Sequence, residues 1–159
     1  MKNFAYHEAG HVVAALHMGL KVDYTTIEDG VSPMKATKTV RLNDYFDEDQ
    51  LMFGRLVPKG QRKLSREDYR IFYAILIQKL AGYQVVEMTG LCDHPKLSNH
   101  FYADRAFTQN TLRLLKKSGL DKTYEQIERI TIKVLKNRWK EVDDLARRLM
   151  EEKRVYFNV

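Results

Sequence analysis

The sequence predicts a mainly α domain with a small N-terminal β-sheet, an α+β fold. Three observations lead there. Apolar residues recur at three- and four-residue spacing over four long stretches. One short stretch, Val22 to Ile27, has the β-branched and aromatic make-up of a strand. At 159 residues, with 44% apolar residues, 3 Pro and 8 Gly, residues 1–159 amount to a single domain able to bury a core.

The first helix is expected over residues 3–18, with Phe4, Ala5, Val12, Val13, Ala15 and Leu16 mostly on one side and Gly19 as its stop. The strand Val22–Ile27 follows, then a turn at Glu28-Asp29-Gly30 and a partner strand at Lys38–Leu42. Residues 43–63 run from acidic to basic, contain Pro58 and Gly60, and read mainly as an exposed loop. Ser65-Arg66-Glu67-Asp68 places a cap hydroxyl three residues before a carboxylate and opens a helix over about 66–89. That helix is apolar around much of its circumference and is expected to be the central buried one, ending at Gly90. A loop with Pro95 leads to a helix at about 99–118, closed by Gly119. Thr123 and Gln126 frame the start of one long final helix with a stripe at Ile127, Ile130, Val134, Val142, Leu145 and Leu149.

The net charge of +6 is uneven: residues 1–58 balance at −2 and residues 59–159 at +8. The excess positive charge is interleaved with carboxylates at helical spacing, as on a solvated helix face. No nucleic-acid module accompanies it, so no nucleic-acid partner is expected. The single Cys92 excludes an intrachain disulfide and suits a reducing compartment. No apolar run approaches the ~18 residues of a membrane span, and no signal-peptide pattern opens the chain. The expectation is a cytoplasmic protein.

The chemistry lies in His7-Glu8-Ala9-Gly10-His11. On a helix, four steps of about 100° bring His11 almost above His7, so both imidazoles can reach one ion. Zinc accepts imidazole nitrogen, and a catalytic site keeps one position open for water. Glu8, next to the first donor, can take a proton from that water and pass it to a leaving amine. With 5 His and 10 Glu in the chain, random placement gives roughly 0.01 matches to H-E-x-x-H. A third donor must come from elsewhere, and the candidates are Asp104, Glu87, His94 and His100. Asp104 sits in the first turns of an expected helix. Glu87 lies near the end of the buried helix, where an unpaired carboxylate is costly, and so reads as a donor or as a partner orienting a metal-bound histidine.

His-Glu-Ala-Gly-His, preceded by Ala5-Tyr6 and followed by Val12-Val13-Ala14, resembles the metal helix of the FtsH-type zinc peptidases (the M41 group). The following strand with Gly30, the segment Leu80-Ala81-Gly82-Tyr83-Gln84-Val85-Val86-Glu87, the segment Ala103-Asp104-Arg105-Ala106 and the last helix are similar to that family as well. The resemblance implies a zincin-like metal helix packed in a helical bundle, zinc held by His7, His11 and Asp104, and Glu8 as general base. The chain departs from the family where Lys96-Leu97-Ser98-Asn99-His100 replaces a Thr-Gly-Ala stretch and Ala103 replaces an Asn. His100 and Glu87 are the substitute ligands.

FtsH-type proteins carry an ATPase module, whereas no G-x-x-x-x-G-K-[ST] loop occurs in these 159 residues. The expected activity is therefore that of a zinc metalloendopeptidase, hydrolysing peptide bonds of unfolded proteins or peptides without ATP in this chain. The chain stands alone, is a fragment of a larger parent, or receives its polypeptide substrate from a partner ATPase, and a homo-oligomeric ring is a further arrangement the resemblance allows. The alternative is a catalytically idle metal-binding regulatory or interaction module of peptidase ancestry. The strand Val22–Ile27 is the expected sheet edge for substrate.

Overall fold

A computed structural model describes residues 1–28, 36–60, 62–90 and 95–157, apart from the side chains of residues 95–100. The turn at Asp29-Gly30 and the candidate donor His94 lie outside the described residues. The chain is α+β, with seven helices and a three-stranded antiparallel sheet among those residues.

Helix α1 (Lys2–His17) carries the histidine motif. The expected one-sided burial is not what forms. Every residue from Ala5 to Ala15 is buried, because α1 is covered by α4 (Arg66–Thr89), by α7 (Trp139–Glu152) and by strand β1 (Val22–Thr26). Small residues make that enclosure feasible. A Cβ on Gly10 would stand 2.7 Å from Val85 Cγ2 and 2.8 Å from the Ala81 carbonyl oxygen. The backbones of α1 and α4 therefore approach closely just where the motif sits.

Helix α4 forms over the expected range. Ser65 and Asp68 exchange side-chain and backbone hydrogen bonds at its start, and Gly90 ends it at φ 64°, in the left-handed region that favours glycine. Its core includes Phe72, Ile75, Leu76 and Leu80.

The sheet has the order β2-β1-β3, with β2 at Thr37–Thr39 and β3 at Arg154–Tyr156. The expected partner strand is shorter than Lys38–Leu42, since Leu42 already begins α2 (Leu42–Tyr45). β3 pairs along the other side of β1, with Thr25 opposite Val155. β1 is thus the central strand, not an edge. Three residues at the far end of the chain, too few to show a periodicity, complete the sheet.

The segment expected as an exposed loop holds α2 and α3 (Glu48–Met52). Asp47 caps α3 by accepting from the Gln50 N–H at 2.9 Å, and Phe46 and Leu56, before and after it in the chain, are buried. Helix α5 spans Pro95–Leu114, beginning earlier than expected with proline at a first-turn position that needs no N–H donor. A 3₁₀ turn at Lys116–Ser118 follows it. The single long final helix is two: α6 (Tyr124–Asn137) and α7, which break at Arg138 (φ −115°, ψ 19°). The apolar stripe skips from Leu135 to Val142, and the halves serve different neighbours, α6 packing on α4 and α7 on α1. Among the described residues no helix is long and apolar enough to cross a membrane.

Candidate metal centre

The buried middle of α1 brings His7, Glu8 and His11 together, their donor atoms all within 4.8 Å of one another. The helical repeat does what the spacing predicts: His7 Nε2 and His11 Nε2 are 3.0 Å apart. Asp104, in the third turn of α5, meets both rings with one oxygen, at 3.1 Å from His7 Nε2 and 3.2 Å from His11 Nε2. Phe101, one turn earlier on α5, packs its ring 4.7 Å from that of His7.

Two elements tune the histidines. His11 Nδ1 donates to the Gln78 carbonyl oxygen of α4 at 2.8 Å, which fixes the tautomer and leaves Nε2 as the nitrogen able to accept a metal. Gly82, one turn along α4, clears the space the rings occupy. A Cβ there would lie 2.5 Å from His11 Cε1 and Nε2 and 2.7 Å from His7 Cε1.

The electrostatics follow from burial and proximity. Burial is the largest influence on Asp104 and would raise its pKa, but the charge and hydrogen bonds of His11 and His7 outweigh it and hold the carboxyl well below the ordinary carboxylate range. Burial likewise acts downward on His11. The Asp104 charge and hydrogen bond, with the Glu8 charge, overcome it and raise the imidazole above its ordinary value.

Do these donors fit a zinc ion? Tetrahedral zinc with donors at roughly 2.0–2.1 Å requires neighbouring donors about 3.3 Å apart. The triangle His7 Nε2, His11 Nε2, Asp104 Oδ2 has edges of 3.0, 3.1 and 3.2 Å. Two imidazoles and a carboxylate are also a donor set zinc accepts. The residues fit the ion.

Glu8 stands beside the triangle, its Oε1 4.0 Å from His7 Nε2. Its Oε2 accepts from Thr37 Oγ1 of β2 at 2.5 Å, and Thr37 Oγ1 is 2.7 Å from Thr25 Oγ1 of β1. A cavity of about 700 Å³ opens against His7, Glu8, His11 and Asp104, with an apolar wall that includes Leu42, Leu51, Phe107 and Leu115.

Of the substitute donors, Glu87 is exposed and is not part of the cavity wall. The expectation that it is buried fails because it lies five residues past Gly82, about 140° around α4 from the face that meets the histidines. His100 belongs to α5, and its side chain lies outside the described residues. Thr37, Thr25, Gln78 and Gly82 escaped the sequence reading. Only Gly82 left a trace, as a glycine within a strongly apolar helix.

The chain matches no family model and no curated protein.

Proposed function

We propose that this chain is a zinc-dependent peptidase of the FtsH type, hydrolysing peptide bonds of unfolded proteins or peptides without an ATPase step of its own. The reading rests on one observation: His7, His11 and Asp104 converge in a triangle of the size zinc requires, facing a cavity that Glu8 borders.

When bound by those three residues, zinc supplies Lewis acidity, polarising a carbonyl and acidifying water. The side chains do the rest. Thr37 engages Glu8 Oε2, so Oε1 is the oxygen turned to proton transfer: it takes a proton from the attacking water and returns it to the departing amine. The Gln78 carbonyl holds the His11 ring in its ligating orientation. Burial of His7, Glu8 and His11, each no more than 5% exposed, keeps bulk water from screening these charges. The outer strand β2, whose Thr37 holds Glu8, has an edge unpaired among the described residues along which an extended peptide can pair; this role passes to it from β1, which is paired on both sides.

The test is metal analysis joined to proteolysis. The purified protein is expected to hold about one zinc per chain and to cleave unfolded casein, and Glu8→Gln to abolish cleavage while keeping the zinc. Cleavage that survives in Glu8→Gln overturns the mechanism.

A further inference from the structure

The cavity leads outward along a strip of large apolar side chains, and part of that strip is left in solvent. On α5, Asp104, Phe107, Thr111 and Leu114 recur at i, i+3, i+7 and i+10, so one helix face lines the cavity from the donor triangle to the helix's end. Phe107 and Leu114 belong to the cavity wall and yet are 39% and 52% exposed. Helix α3 buries none of its residues, and Met52 and Phe53 at its end are 74% and 78% exposed. Gly54, at φ 74°, brings this end against α5: a Cβ on it would lie 2.7 Å from the Leu114 carbonyl oxygen. The segment is fastened there. The Asp47 N–H donates to the Val57 carbonyl oxygen at 2.9 Å. Ser118 Oγ donates to the Gly54 carbonyl oxygen at 3.3 Å and accepts from the Leu56 N–H at 3.0 Å. Large apolar side chains held together in water beside a cavity mark an interaction surface.

We propose that Met52, Phe53 and Leu114 form a capture surface for apolar segments of unfolded polypeptide, set at a fixed distance from the triangle of His7, His11 and Asp104. The occupant follows from continuity. Met52, Phe107 and Leu114 belong both to the exposed patch and to the cavity wall, so what covers the patch also extends into the cavity. An extended chain does so, and an unfolded one presents the large apolar side chains that folded proteins mostly bury. Helix α5 sets the span. The ten residues from Asp104 to Leu114 rise about 15 Å along the helix axis. An extended chain advances about 3.3 Å per residue and covers that distance in about four or five residues. The captured side chain therefore lies about four or five positions from the bond that is cut. It belongs to an internal residue, and neither chain terminus takes part. This inference rests on the peptidase reading and names what selects the substrate: a large apolar side chain at a set distance from the scissile bond.

Binding separates this idea from the activity. Peptides of Gly, Ala and Ser, blocked at both ends and made with or without one central Phe, are titrated by fluorescence anisotropy against the full chain bearing Glu8→Gln. The Phe peptide is expected to bind at least about tenfold more tightly, as burial of one aromatic side chain allows. Adding Phe53→Ser should remove most of that preference and Phe53→Leu should keep it; the residue is exposed, so neither change disturbs the fold. In the wild type, mass spectrometry of the products should place the cut about four or five residues from the Phe. Equal affinity for the two peptides, a preference that persists in Phe53→Ser, or cuts without a fixed spacing each overturn the capture surface. So does a dimer, seen by sedimentation, that Phe53→Ser dissociates, because a second copy would then be the occupant. Preference for the Phe peptide in a chain whose wild type cleaves nothing would retain the surface and remove the peptidase reading.

Discussion

Thr37 Oγ1 donates to Glu8 Oε2 at 2.5 Å, tying strand β2 to α1 through the one carboxylate that faces the cavity from that helix. A hydroxyl has a single proton, and that of Thr37 is committed to Glu8. The 2.7 Å contact between Thr25 and Thr37 therefore runs from Thr25 to Thr37. A directed chain leads from fully buried Thr25 to Glu8 and holds its carboxylate in one orientation. Thr37→Val keeps the shape and removes the donor. With a hydrogen bond to a charged group contributing about 1.5–3 kcal/mol, kcat on casein should fall at least about tenfold while zinc content stays unchanged. Thr37→Ser should recover most of the loss. A Thr37→Val enzyme with wild-type kcat would exclude this positioning role.

Gly82 sets a steric condition for the centre. Its missing Cβ is the space in which both histidine rings stand, and the atoms it would meet belong to rings already held by α1 and by the Gln78 carbonyl. Gly82→Ala should therefore displace the rings, abolish stoichiometric zinc binding and cost about 1–3 kcal/mol of stability as overpacking. Equilibrium dialysis with zinc and a urea unfolding curve measure the two effects. Full zinc binding by Gly82→Ala would show that the rings need no such clearance.

The same two residues show what the sequence makes legible. His7 and His11 are legible because one helix sets their separation, and a four-residue interval needs no knowledge of the rest of the fold. Ser65 with Asp68, and Thr123 with Gln126, are legible for the same reason: each helix start is a local exchange of hydrogen bonds. Thr37 and Gly82 are not, since their roles arise only when β2 and α4 are brought against α1 from 29 and 71 residues away. The break at Arg138 is likewise a tertiary choice, because a continuous 3.6-residue pattern does not say that its halves will meet different helices. β3 depends on β1 for its pairing, and Glu87 misleads because α4 is apolar around much of its circumference while its last turn reaches solvent.

Away from the centre, Asp68 should govern part of the acid limb of stability. The side-chain hydrogen bond from Arg62 is the largest influence, and with those from Ser65 it holds the folded-state pKa well below the ordinary 3.8. The unfolded chain therefore binds the proton more readily, and stability rises with pH across this window. The contribution is complete above about pH 5 and is lost as the pH falls below the unfolded value towards the depressed folded one. Asp68→Asn should lower the urea midpoint at pH 7 and flatten its dependence on pH between about 5 and 2. An unchanged slope in that range would mean that other carboxylates carry the acid limb.

Chelation is the most direct test of which residues hold the proposed zinc. An ion that binds only the folded chain stabilises it by about 4 kcal/mol when free zinc is 1,000 times its Kd. For a chain of this size each kcal/mol moves Tm by about 2–4 °C, so a strong chelator should lower Tm by about 8–16 °C, and added zinc should restore it. Asp104→Ala removes the oxygen 3.1 and 3.2 Å from the two imidazoles and should abolish most of that response. Glu87→Ala, altering an exposed residue off the cavity wall, should leave it intact. If Asp104→Ala keeps the full chelator response and His100→Ala loses it, the third donor is His100 and the triangle drawn from Asp104 is wrong. Differential scanning calorimetry on these three variants, with and without chelator, decides between the two.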